Sequence, residues 1–275
     1  MRPIILITTV LAFVGCRNGT GPESGSRVGI GFQFARTSTA SAAVGNANLE
    51  GTPLVGVPPV VTPTANGLRI TRDADVLVIS RAQFVIRDVK LKSALAVCAD
   101  DDDASASANR NNSSDADDDC PTLRVGPFLV NLPVNGTDGA RVSVPVPAGT
   151  YASVRLTLHK VSSNDSADAA FRQANPDFRD ISVRLEGTYN GAAFVFVNDV
   201  NAKINAPLAA PLVIGTAGDD VTVSIDLSTW FLRPQGGLYA PALANTPGAV
   251  RAAVQNNIKS AFRVFRDRNR DGRED

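Results

Sequence analysis

Residues 27–35 read RVGIGFQFA, with Val28, Ile30, Phe32 and Phe34 at every second position. A period of two turns alternate side chains to opposite faces of a strand, so this segment is expected to bury one face. The same reading predicts strands at 68–71, 75–79, 122–125, 128–132, 212–215 and 221–227. Residues 83–91 shift phase between Phe84/Ile86 and Val89/Leu91, which predicts a bulge near Arg87–Asp88. In 141–146 the apolar positions are Val142, Val144 and Val146. In 151–160 Val154, Leu156 and Leu158 alternate with Arg155, Thr157 and His159. The clearest hairpin joins 181–189 to 192–198 through Asn190-Gly191, the pair that supplies the positive φ angles of a type I′ turn. By contrast, 37–66 is rich in Ala, Thr, Ser and Pro without a period and reads as a long surface loop.

Two segments follow a helical period instead. A short helix is expected over 166–174, with Ser166 at its start and Pro176 behind its end. A longer amphipathic helix is expected over 249–266, where Val250, Val254, Ile258, Ala261, Phe262 and Phe265 share a face. About ten alternating strands and one terminal helix predict a mainly β fold, an antiparallel β-sandwich with a C-terminal amphipathic helix. That sandwich is expected over 27–266 as one domain, with loop insertions at 37–66 and 99–119. Residues 267–275 would form a charged tail without core residues.

Residues 129–158 carry a second kind of information. Val146-Pro147-Ala148-Gly149-Thr150-Tyr151 leads one strand into the next. Pro147 ends a strand, Gly149 allows the tight turn and Tyr151 packs at the corner. This run resembles the strand entry of transthyretin-like and immunoglobulin-like sandwich modules in bacterial surface proteins. From about residue 74 to 160 the chain is similar to a domain of unknown function found in bacterial lipoproteins, with an acidic insert as the departure. The resemblance implies a fold and no chemistry.

The N-terminus suggests an address. Arg2 precedes an 11-residue run, Ile4 to Val14, apolar but for Thr8 and Thr9. It is too short to span ~30 Å of hydrocarbon and has the form of a signal-peptide core. Phe13-Val14-Gly15-Cys16 then resembles a bacterial lipobox, with Phe13 where Leu is usual. The resemblance implies that residues 1–15 are a lipoprotein signal peptide and that Cys16 carries lipid. Residues 16–26 would be a Gly/Ser/Pro-rich tether. Arg17 stands where Asp would favour inner-membrane retention in diderm bacteria, so the expected location is the outer membrane of the cell envelope.

With Cys16 assigned to lipid, Cys98 and Cys120 remain, and an exported pair most simply forms a disulfide bond. Between them, residues 99–119 hold eight Asp and no large apolar side chain. Closing that loop contributes on the order of 3 kcal/mol in the chain-entropy model. Lys+Arg and Asp+Glu both total 27, which leaves no basic field for nucleic acid. The single His argues against a histidine-rich metal centre or a Ser-His-Asp triad.

Near the C-terminus, Asp267, Asn269 and Asp271 followed by Gly272 reproduce the first positions of a calcium loop, and the expected 249–266 helix would stand as its entering helix. The bidentate Glu of such loops is absent, and four Arg crowd the site, so any calcium binding there should be weak. His159 is expected on a polar strand face. Glu186 and Asp199 fall near opposite strands of the hairpin, but their spacing does not define an acid/base pair. Trp230-Phe231 reads as a core plug or as an aromatic platform for a sugar, and aromatic burial favours the core.

Together these features predict a non-catalytic, lipid-anchored envelope protein with a structural or interaction module and no resident cofactor. Its partners would be the membrane, through lipid, and an envelope protein or glycan. The alternative is a carbohydrate- or polymer-binding surface module. A hydrolase would need a nucleophile elbow or histidine cluster that the chain lacks.

Overall fold

The structure, a computed structural model, describes residues 26–35, 58–93, 122–123, 126–135, 141–215 and 219–275. These form thirteen strands and two short helices in a mainly β fold. One sheet has four strands in the order β13 (Phe262–Arg266), β12 (Asp219–Ile225), β1 (Ser26–Phe34), β7 (Arg141–Val146). Its β1–β12 pair is parallel and the rest is antiparallel.

The second, nine-stranded sheet is organised by β4 (Asp75–Ser93). Along one edge β4 pairs in turn with β3 (Gly67–Arg72), β6 (Phe128–Leu132) and β5 (Thr122–Leu123). Along the other it pairs with β9 (Val183–Tyr189) and β8 (Gly149–Leu158). Outside these lie β2 (Val60–Thr64) against β3, β10 (Ala192–Asn198) against β9 and β11 (Ala202–Ile214) against β8.

Two irregularities let one strand serve so many neighbours. The bulge expected at Arg87–Asp88 is present: the register with β8 shifts there, and Asp88 takes φ 54°. Another shift, at Ser80, brings the Val78 carbonyl against β9 at Gly187. A Cβ on Gly187 would stand 1.8 Å from that oxygen, so only glycine fits. The hairpin turn is also as expected, with Asn190 at φ 50° and Gly191 at φ 84°.

The two sheets face each other across one core. Val28, Ile30, Phe32 and Phe34 of β1 join Val221, Val223 and Ile225 of β12 and Phe84, Ile86, Val89 and Leu91 of β4. Phe84 meets Phe32 and Phe262 edge to face at 6.2 and 6.1 Å, which links β4 to both β1 and β13. A smaller cluster lies on the other face of β4, where the excursion between β8 and β9 lays Val161, Phe171 and Phe178 over Val85. That is why 82–86 are buried without alternation. Tyr151 closes the corner expected of it, its hydroxyl donating to the Pro147 carbonyl at 2.9 Å.

Several edges carry blocks against further pairing. The β2 edge bears Pro63, and β11 bears Pro207 where its bulge begins and Pro211 within it. At β10 the Asn245 amide acts as a one-residue strand: its oxygen accepts from Val197 N at 2.9 Å and its nitrogen donates to the Val195 carbonyl at 2.8 Å.

The terminal helix is shorter than expected. It runs Ala249–Ser260 as α2, and Phe262–Arg266 are β13, not its last turns. Phe262 and Val264 alternate with Arg263, so a two-residue period overrides the helical one there. Similarly, 37–66 is not wholly loop, since Val60–Thr64 form β2. The first helix is a 3-10 turn, Ser166–Asp168, continued by α1 (Ala169–Ala174). Its cap is Asp165, not Ser166: the Asp165 side chain accepts from Ala167 N.

Candidate functional site

His159 follows the end of β8, where its N–H donates to the Val85 carbonyl at 3.0 Å. The ring is hydrogen-bonded and not at the surface, because the 160–182 excursion folds over this end of the sheet and buries it. Nε2 lies 2.8 and 2.9 Å from the two carboxylate oxygens of Asp168, which is fully buried. Ser162 N donates to the same carboxylate at 2.7 Å. Arg87, from the β4 bulge, reaches Asp165 at 2.8 Å and Asp168 at 3.7 Å. Arg172 of α1 donates to the carbonyls of Ser162 and Asp165.

The ligand-type atoms of His159, Asp165 and Asp168 lie within 4.8 Å of one another, as in a metal centre. The Arg87 guanidinium already supplies the positive charge between the two carboxylates, and Asp168 spends its oxygens on His159 and Ser162 N. The cluster is thus an ion network that fastens the excursion to β4. Its acids sit in a Ser/Asn/Asp-rich stretch that has the composition of a plain loop.

At the C-terminus, Asp267, Asn269 and Asp271 lie in a loop entered from a strand, β13, and not from a helix. Asp267 is buried and accepts from the Thr222 hydroxyl at 2.6 Å and from Gly272 N at 3.2 Å. Asn269 accepts from Asp271 N at 3.0 Å and Asp271 from Arg273 N at 2.8 Å. Asp275 accepts from Arg268 N at 2.6 Å. The segment is therefore built into the body and is not a loose charged tail, and Gln33 of β1 donates to the Gly272 carbonyl at 2.7 Å. Three of the crowding arginines are engaged outside the loop: Arg266 and Arg268 with Asp219, Arg270 with Asp220.

The remaining candidates separate. Glu186 pairs with Arg184 at 2.9 Å and Arg81 at 3.4 Å. Asp199 pairs with Arg251 of α2 and with Lys160 at 3.4 Å. Each carboxylate thus has its own cations. Trp230 and Phe231 are fully buried, Phe231 against Phe196 at 5.1 Å, so the core reading holds. Cys16, Cys98 and Cys120 and the acidic stretch 99–119 lie outside the described residues.

These ion pairs give the fold a pH window. The Arg87 hydrogen bond holds Asp165 below the ordinary aspartate range. Burial alone would raise Asp75, Glu186, Asp199 and Asp219. At each the donors outweigh it: Leu238 N and Tyr189 at Asp75, Arg184 at Glu186, Arg251 at Asp199, Arg266 at Asp219. A carboxylate lowered by folding contributes stability above its unfolded value, 3.8 for Asp, and loses it as pH falls through the lower folded value. Tyr189 has the opposite sign: burial and its bond to Asp75 push it up to about 12 from 10.0, so its contribution is lost as pH rises through that interval. Urea midpoints measured from pH 2 to 12 should therefore fall at both the acidic and the alkaline end. A midpoint that keeps rising below pH 4 would contradict these assignments.

No protein-family model, curated protein or solved structure matches the chain.

Proposed function

We propose that the chain is a non-catalytic, lipid-anchored cell-envelope protein whose β-sandwich serves as a structural or interaction module. The observation that carries this reading is the use of the polar side chains. His159, Asp165, Asp168, Glu186 and Asp199 join one element of the fold to another. The lipobox-like run ending at Cys16 supports the anchor, and the strand entry at Pro147–Tyr151 supports kinship with the sandwich domains of bacterial lipoproteins. A Cys98–Cys120 bridge belongs to the same reading, as does an outer-membrane location with an envelope protein or glycan as partner. A sugar-binding module is the second candidate, but its most obvious platform, Trp230, is buried in the core.

Among the described residues no helix is long and apolar enough to cross a membrane; in this reading attachment rests on the acyl chains. Cys16→Ala should move the protein from the membrane to the soluble fraction or stall its processing. Unchanged fractionation with membranes would overturn the anchor.

Weak calcium binding at Asp267, Asn269 and Asp271 extends the proposal. Positive φ angles at Arg270 (61°) and Gly272 (79°) let the loop curl around its own side-chain oxygens. Too few oxygens are offered for tight binding, so affinity should fall in the millimolar range of about 10⁻⁴–10⁻³ M. Asp267→Ala should also destabilise the protein without calcium. It leaves the buried Thr222 hydroxyl unsatisfied, at about 1–3 kcal/mol. Calorimetric titration and urea unfolding of that variant separate the two roles. Micromolar affinity would refute weak binding, and an unchanged midpoint would refute the structural role.

A further inference from the structure

The partners of β1 are all remote from it in the chain. It lies between β12, which pairs with Val28–Phe34, and β7, which pairs with Ser26–Gly31. The next strand in sequence, β2, belongs to the other sheet. Phe34 and Val60 are separated by 25 residues, a stretch that can reach at most about 80–90 Å. Among the described residues, β1 is therefore linked along the chain to the rest of the body through that one connection.

The cleft between β7 and β12 recognises β1 by shape and by polar contacts. Val28, Ile30, Phe32 and Phe34 are at most 2% exposed. Gly29 leaves room for the Asp220 carboxylate, whose Oδ1 would stand 2.1 Å from any Cβ there. Gln33 Nε2 donates to the Gly272 carbonyl, and Ala35 N donates to the Ile225 carbonyl at 2.8 Å. None of these contacts depends on which chain supplies the strand.

We propose that this cleft is a strand-acceptor site, which a second copy of the chain fills with its own residues 26–35 in a reciprocal exchange. Exchange keeps every β1 contact and changes two terms, loop closure, whose free energy varies slowly with loop length, and the freedom two copies lose on pairing, which rising concentration offsets. Biosynthesis favours it too. β1 emerges first and β12 nearly last, so the apolar face of β1 must wait for its partner. A neighbouring copy that has already formed its cleft competes for β1 during that wait.

The test uses two full-length copies, differently tagged and produced in one cell, with Cys98→Ser and Cys120→Ser in both. One copy carries Gln33→Cys and the other Ser224→Cys, since positions 33 and 224 face each other across the β1–β12 pair. Oxidation should yield a species of twice the chain mass whose cross-linked peptides contain position 33 of one copy and 224 of the other. The tagged copies should copurify when co-produced and not when mixed after purification, because folded copies have closed. A chain carrying both substitutions reports whether that pair can cross-link within one molecule. Cross-linking only within that chain, or tagged copies that never copurify, would overturn the proposal.

Discussion

Phe84→Ala should lower the unfolding free energy by about 3–5 kcal/mol, a large share of the roughly 5–15 kcal/mol that holds a domain together. The side chain is fully buried at the middle of β4. Its ring meets Phe32 of β1 at 6.2 Å and Phe262 of β13 at 6.1 Å, so it touches two strands of the facing sheet. Truncation removes apolar burial and both edge-to-face contacts, and it leaves a cavity between sheets too stiff to collapse fully. Phe84→Leu keeps most of the volume and should cost about 1–2 kcal/mol. Urea unfolding of both variants checks the claim. If the alanine variant stays within 1 kcal/mol of the parent, the sheets are not fastened at this point.

Asp168→Ala should cost about as much by a different route. Removing a buried acceptor costs roughly 1–3 kcal/mol for each donor left without a partner. Here the group left behind is His159, together with Ser162 N, and Arg87 loses one of its two carboxylates. The damage should be local first. The excursion over Val85 is held apolarly by Val161, Phe171 and Phe178, with Leu129 and Ile181 beside them. Without its polar fastening, backbone amides of 160–182 should exchange with solvent orders of magnitude faster, while those of β12 keep their protection. A His159→Ala, Asp168→Ala double-mutant cycle isolates the coupling. Equal exchange in both regions would show that the network does not hold the excursion.

Local pattern and long-range pattern were legible to different degrees. Where one face is buried, as in β1 and β8, alternation marked the strands closely. The Asn190-Gly191 turn needed only its own chemistry. The acceptors and donors of the ion network could not be read, since Asp168 and His159 meet only after the excursion folds back on β4. The same holds for Val85, whose burial depends on that second layer. The error at 249–266 has a local cause. Ala261, Phe262 and Phe265 fit a helical stripe, while Phe262 and Val264 fit a strand, and pairing with β12 decides between them. β2 was hidden by its own composition, because an edge strand that carries Pro63 has the look of a loop.

Those blocked edges bear on what a crowd of such molecules can become. Identical sandwiches that meet repeatedly could join strand to strand and grow without limit, since each addition offers a fresh margin to the next. Pro63, Pro207, Pro211 and the inserted Asn245 amide deny that margin at β2, β11 and β10. A reciprocal exchange of β1 uses up both clefts of a pair and leaves nothing to extend. Association along these routes then stops at a finite size, a set of discrete particles and not a fibre.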